Sequence, residues 1–144
     1  MIEAATPRDL DAITDIDRHS FPRPWPRATF EAELARDCGR LIVARDRGVI
    51  GFCNYWIVAE EVHILAIATH PDHRRAGIAG ALLAHALSEG RAAGCRLATL
   101  EVRRTNTPAI ALYERAGFHI VHVRAGYYQD DGSDALVMLS ELRR

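Results

Sequence analysis

Apolar residues recur at helical spacing in some stretches of this 144-residue chain and run nearly uninterrupted in others, which predicts alternating helices and strands. Ile2 to Ala5 reads as a short first strand. Thr6-Pro7-Arg8-Asp9 then opens a helix, with Thr6 as cap, Pro7 at the first position and Asp9 as box partner. Leu10, Ile13 and Ile16 give that helix its buried stripe. Phe21-Pro22-Arg23-Pro24-Trp25-Pro26 cannot lie inside a helix, because prolines remove backbone donors and fix the backbone. An ordered loop is expected there, followed by a second short helix, Thr29 to Arg36, carrying Phe30 and Leu34. Arg40 to Arg45 and Val49 to Val58 flank the turn signal Asp46-Arg47-Gly48 and form a hairpin, and Val62 to Thr69 adds a third strand.

Ile78, Leu82, Leu83, Ala86 and Leu87 mark one face of a helix over Ile78 to Arg91, with Gly90 and Gly94 punctuating its end. Arg96 to Arg103 is the next strand. Thr107-Pro108 opens a helix that stops at Gly117. Phe118 to Arg124 and Ala135 to Leu139 are the last strands, joined through Asp130-Asp131-Gly132. The order β-α-α-β-β-β-α-β-α-β-β, without repeats or linkers, predicts one mixed α/β domain over residues 1–144.

Composition narrows the function classes. A net charge of −1 gives no electrostatic case for direct nucleic acid binding. Cys38, Cys53 and Cys95 are widely spaced and form no CxxC pair, which argues against a disulfide framework or a zinc ribbon and suits a reducing cytoplasm. No apolar stretch approaches membrane-spanning length, and Met1-Ile2-Glu3-Ala4 does not begin a signal peptide. His70-Pro71-Asp72-His73 reads as a surface turn, so no metal is expected.

The most informative segment is Arg74-Arg75-Ala76-Gly77-Ile78-Ala79-Gly80, a small-residue loop between a strand and a helix. Gly77 permits torsions closed to other residues, and the first helical turn presents free N–H groups at the positive end of the helix dipole. That arrangement accepts an anion the size of a pyrophosphate, with Arg74 and Arg75 adding charge; the alternative is a turn with two solvated arginines. It lacks the Gly-Lys-Ser/Thr of a nucleotide-hydrolysing loop and is not GxGxxG.

Two titratable groups follow. Glu101 stands late in the apolar strand 97–103, sharing a face with Thr99 and Arg103, where a carboxylate serves as a general base or pairs with a nearby arginine. Tyr113 lies on the helix 108–116 among residues that pack without it, as a proton donor to a leaving thiolate or as a boundary aromatic. Glu61 and His63 begin a central strand, either lining the acceptor end or forming a polar hairpin end. Tyr127 and Tyr128 wall a cleft or pack the last hairpin.

Taken together, these segments resemble the GCN5-related N-acetyltransferase (GNAT) superfamily, and most closely its RimI-type ribosomal-protein alpha-amino acetyltransferases. Residues 67–79, Ile67 to Ala79, resemble the family's cofactor motif. Residues 100–106 and 109–118 resemble its second conserved block, and 127–135 its C-terminal segment. Phe21 and Trp25 echo an early aromatic loop, which Arg23 and Pro24 lengthen relative to Phe-Pro-Trp, and Ala79 stands where glycine is common.

The resemblance implies a splayed mixed sheet of about seven strands flanked by about four helices, with acetyl-CoA wedged into the splay. Ile67, Ala68 and Thr69 would pair with the pantetheine arm, Arg74, Arg75, Ala76, Gly77, Ile78, Ala79 and Gly80 would hold the pyrophosphate, and Asn106 would contact the cofactor near the reaction. Glu101 falls on the family's base position and Tyr113 on its acid position, while Trp25, Glu61, His63 and Tyr128 border the acceptor. The implied acceptor is a protein N-terminus, such as that of a small-subunit ribosomal protein. Alternatives are a small-molecule amine or a lysine as acceptor, and, in another class, a sensor that binds acyl-CoA without catalysis. A cytoplasmic monomer or weak dimer, with neither nucleic acid nor membrane as partner, completes the expectation.

Overall fold

The computed structural model describes residues 1–142 and realises the expected element order. Strands are β1 (Ile2–Ala4), β2 (Gly39–Arg45), β3 (Val49–Val58), β4 (Glu61–Thr69), β5 (Leu97–Arg103), β6 (His119–Arg124) and β7 (Ala135–Glu141). Helices are α1 (Leu10–Ser20), α2 (Arg27–Ala35), α3 (Ile78–Ala92) and α4 (Thr107–Arg115). The Thr6 cap opens a single 3₁₀ turn, Pro7–Asp9, ahead of α1, with the Thr6 N–H donating to Asp9 Oδ2 at 3.0 Å.

The sheet has the order β1-β2-β3-β4-β5-β7-β6. All neighbours are antiparallel except β4 and β5, which run parallel because α3 crosses between them. Strand alternation then gives the sheet two apolar faces. Leu41 and Val43 of β2 and Phe52 of β3 pack on Leu10, Ile13, Ile16 and Phe30 of α1 and α2. Ile42 and Ala44 of β2, with Ala98, Leu100 and Val102 of β5, pack on α3 and on Tyr113 of α4. Leu82, Leu83 and Leu87 of α3 are buried there, each contributing about 1.5–3 kcal/mol by removal from water.

Gly90 differs from its sequence reading. It does not end α3 but lies inside it, buried, at the helix's contact with β4. A Cβ at this position would lie 2.3 Å from Val62 Cγ2, so the missing side chain is what lets the helix reach the sheet. The stop is Gly94, at φ 86°, with the Cys95 N–H donating to the Gly90 carbonyl. Alanine in place of glycine ordinarily improves a helix by about 1 kcal/mol, but overpacking costs about 1–3 kcal/mol. Because the 2.3 Å approach puts the overpacking at the upper end of that range, Gly90→Ala is expected to destabilise the protein by about 2 kcal/mol, read as a lowered urea midpoint at unchanged slope.

Candidate active site

The site exists because β4 and β5 pair along only part of their length. Glu61 to Ile64 pair with Leu97 to Leu100, and beyond that the strands separate. The cause lies on the other edge of β4. Tyr55 opposes Ile64 and Asn54 opposes Ala66, which leaves Leu65 as an extra residue. Such a bulge bends the strand and inverts its faces. Val62 and Ile64 join the α3 side before it, whereas Ile67 joins that side after it and Ala66 and Ala68 turn to α1 and α2. A cavity of about 540 Å³ fills the break. β4 contributes Ile64 to Ile67 to its wall and β5 contributes Leu100 to Arg103. Asp17 and Ser20 of α1, the loop residues Phe21, Pro22, Arg23 and Trp25, and Asn106, Tyr113 and Tyr128 close it.

Glu101 and Tyr113 approach this cavity from different sides. Glu101 projects from the β5 face opposite the α3 core and is exposed, so its carboxylate reaches solvent. Its arginine neighbour is Arg124, at 3.5 Å between Nε and Oε2. Both side chains are well solvated, and a pair of that kind contributes little. Tyr113 is buried in the core between the sheet and α4, with Phe118 edge-on at 6.0 Å. Burial pushes its phenol well above the ordinary tyrosine range, so it stays protonated. Its hydroxyl makes no hydrogen bond among the described residues. Asn106 caps α4, with Oδ1 accepting from the Ala109 N–H at 3.3 Å. That bond leaves the amide NH₂ as the free end of the side chain on the cavity wall.

The loop before α3 combines left-handed torsions with unpaired backbone donors. Arg75 and Gly77 both adopt left-handed torsions, φ 65° and φ 77°, on either side of Ala76. The first helical bond runs from Ala81 N to Gly77 O. Among the described residues, none of the N–H groups from Arg74 to Gly80 meets an acceptor, so these donors are left for a ligand. Gly80 faces α4, where an added Cβ would touch Leu112 Cδ1 at 3.8 Å. The two arginines part company. Arg74 reaches back towards the Thr69 and His19 carbonyls and Ser20 Oγ at 3.3–3.5 Å, whereas Arg75 makes no ion pair among the described residues. Ala68, Thr69 and the loop lie beyond the cavity wall, past its Ile67 end.

The side of the cavity facing away from α3 is aromatic. The Trp25 ring stands 5.3 Å from Phe30, which meets Phe52 edge-on at 5.5 Å. Tyr128 is stacked by the Arg103 guanidinium at 3.9 Å, and that guanidinium is held by Asp130 at 2.9 Å and Asp131 at 2.8 Å. The hydrogen bonds from Arg103 hold the Asp130 carboxyl below the usual carboxylate range. Trp25 and Tyr128 thus stand on the cavity with Glu101 and Tyr113. Glu61 and His63 do not: they pair with each other at 3.0 Å, and Glu61 borders a separate hollow at the start of β4. Among the described residues no group of three or more His, Cys, Asp and Glu is placed to hold a metal, and no helix is long and apolar enough to cross a membrane.

Three residues here escaped the sequence reading. Leu65, the bulge, leaves no sequence trace. Arg103 was placed on the face of Glu101, but its hold by Asp130 and Asp131 and its stacking on Tyr128 were not read. Asp17 did carry a signal, since it follows Ile13 by four residues and so puts a carboxylate on an apolar stripe.

Comparison with known proteins agrees with this geometry. Residues 10–118 match the acetyltransferase (GNAT) family model. The [ribosomal protein bS18]-alanine N-acetyltransferase of Escherichia coli is 33% identical over 132 residues, covering 90% of this chain and 89% of that protein. The N-alpha-acetyltransferase RimI of Mycobacterium tuberculosis is 31% identical over 144 residues, with 95% and 89% covered. The crystal structure of the Escherichia coli S18-alanine enzyme superposes with a TM-score of 0.91 at 30% identity, covering 100% of this chain and 94% of that one.

Proposed function

The chain belongs to the acetyltransferase (GNAT) family, and from that premise we propose that it acetylates the N-terminal alpha-amino group of a protein, such as a small-subunit ribosomal protein, using acetyl-CoA. One observation carries this reading. The break between β4 and β5 brings Glu101, Asn106 and Tyr113 to one cavity, whose far wall, Trp25 and Tyr128, is the side an extended peptide would enter.

The residues fit acetyl-CoA. The unpaired donors of Arg74 to Gly80 suit a pyrophosphate, and Arg75, which has no ion pair among the described residues, adds positive charge. Beyond Ile64, the edge of β4 that faces β5 has no ladder partner, so Ile67 to Thr69 can pair with the amides of a pantetheine arm. Acetyl-CoA supplies an activated acetyl group: its carbonyl carbon bonds to the acceptor nitrogen as the C–S bond breaks, and CoA leaves as the thiol.

Glu101 draws the proton from the acceptor's amine, directly or through water. An alpha-amino group of pKa about 8 needs only about 1 kcal/mol to be neutral at pH 7, against about 4.6 kcal/mol for a lysine near 10.4. A solvated carboxylate is adequate for the first task and poorly matched to the second, which favours an N-terminus. Tyr113 holds a proton at its Oη for the departing sulfur, and the burial that keeps the phenol protonated also raises the basicity of a thiolate beside it.

Glu101→Gln is expected to lower the rate about tenfold below the amine's pKa and to converge on wild type above it. A pH–rate profile identical to that of wild type would remove Glu101 from the base role. The acceptor is tested by acetyl-CoA turnover on short peptides with different N-terminal residues, beside a polyamine and aminoglycoside panel. Peptide turnover supports the reading, and activity confined to small amines overturns it.

A further inference from the structure

Three acidic side chains are buried among the described residues, and two of them are compensated. Asp9 accepts two hydrogen bonds from Arg45, both 3.1 Å, and the Thr6 N–H. Glu33 accepts from Asn54 Nδ2, Trp56 Nε1 and Arg36 Nε at 3.1, 2.7 and 3.1 Å. Asp17 is the most buried of the three, at 2% exposure, and among the described residues has a single donor, the Trp25 N–H at 2.7 Å. Among the described residues its other oxygen, Oδ1, meets no donor, and no Arg or His forms an ion pair with it. Of the two arginines on the cavity wall, Arg103 is held by Asp130 and Asp131, and Arg23 makes no ion pair with Asp17.

A carboxylate largely withdrawn from water, with no cation partner among the described residues, is costly, and burial accordingly pushes the Asp17 carboxyl above the usual range. Its Oδ1 is not sealed off, since among the described residues the buried side-chain atom without a partner is Asn54 Oδ1. The hydrogen bond to Trp25 does not account for it, since a neutral amide accepts the same N–H. Asp17 does, however, line the same cavity as Glu101, on the side walled by Phe21 and Trp25. The missing cation would therefore come from a ligand that enters there.

Building on the acceptor reading above, we propose that Asp17 is the counter-ion that receives the charged ammonium group of the acceptor as it enters the cavity, before Glu101 takes its proton. Asp17 thereby selects for an amine over a neutral chain end of the same shape and draws it to the mouth of the break between β4 and β5. Its contribution falls on acceptor binding rather than on the acetyl donor.

The experiment compares Asp17→Asn, which keeps an acceptor for the Trp25 N–H and removes the charge, with Asp17→Ala, which removes both. Asp17→Asn is expected to raise the acceptor KM about tenfold or more, with kcat within about twofold and the acetyl-CoA KM unchanged. As a second readout, a peptide whose terminal amine is replaced by hydrogen should inhibit the wild type and Asp17→Asn equally. A wild-type acceptor KM in Asp17→Asn, with impairment only in Asp17→Ala, would reduce Asp17 to a loop anchor and overturn the proposal. If the wild type accepts only small amines, the N-terminal reading fails on its own, and the same KM comparison on the accepted amine decides the counter-ion.

Discussion

Tyr113→Phe is expected to lower kcat about 100-fold while leaving the acetyl-CoA KM within about twofold of wild type. The split follows from where the hydroxyl stands. Tyr113 is 7% exposed and its ring packs in the α3–α4 core, so phenylalanine fills the same volume. The hydroxyl bonds to nothing among the described residues, so its removal strands no buried partner and the urea midpoint should hold. What is lost is the cavity-wall hydroxyl that we propose protonates the departing sulfur. Burial keeps that proton in place through neutral pH, which means the wild type should lose no activity to phenol ionisation up to the ordinary tyrosine range. Steady-state kinetics with both substrates varied checks this. Turnover near wild type in Tyr113→Phe would leave the sulfur to be protonated by water.

The second large effect is expected at Gly77. At φ 77°, this residue caps α3 in the left-handed region, and an added Cβ would meet nothing within 4 Å. Space is therefore available and the constraint is torsional. A left-handed L-residue costs about 1–2 kcal/mol, and a β-branched one lies at the upper end of that range. If the loop relaxes instead of bearing that cost, the unpaired N–H groups of Arg75 to Gly80 lose the arrangement that we propose holds the pyrophosphate. Gly77→Val should raise the acetyl-CoA KM about 30-fold, with little change in acceptor KM. Gly77→Asn, whose side chain tolerates the left-handed region, should recover most of the affinity. Equal KM values for valine and asparagine at this position would show that the torsion does not matter to the donor site.

How much of this was legible beforehand depends on the range of the forces involved. The cap at Thr6, the hairpin at Asp46 to Gly48 and the stop at Gly94 are local effects of a few residues, and they fell where the sequence puts them, with boundaries shifted by a residue or two. Arg74 to Gly80 was legible for the same reason, because a small-residue turn into a helix carries its own dipole and its own free donors. Gly90 was misread, since a glycine near the end of an apolar stripe looks like a stop until the neighbouring strand is known. Glu61 and His63 were read as either lining the acceptor end or forming a polar hairpin end, and they sit at the paired end of β4, away from the break.

By itself, then, the sequence determined the succession of elements, the small-residue turn into α3 and, through family resemblance, the chemistry to be sought. Periodicity and capping act over one or two turns, and a motif is written in contiguous residues. Only the tertiary structure decided where β4 leaves β5, because a bulge is a mismatch of register between two strands and neither strand alone encodes it. Only it brought Asp17, Glu101, Tyr113 and Tyr128, spread across more than a hundred positions of the chain, to one cavity. It also left Asp17 buried with no cation partner among the described residues, since compensation of a charge depends on what surrounds it in space.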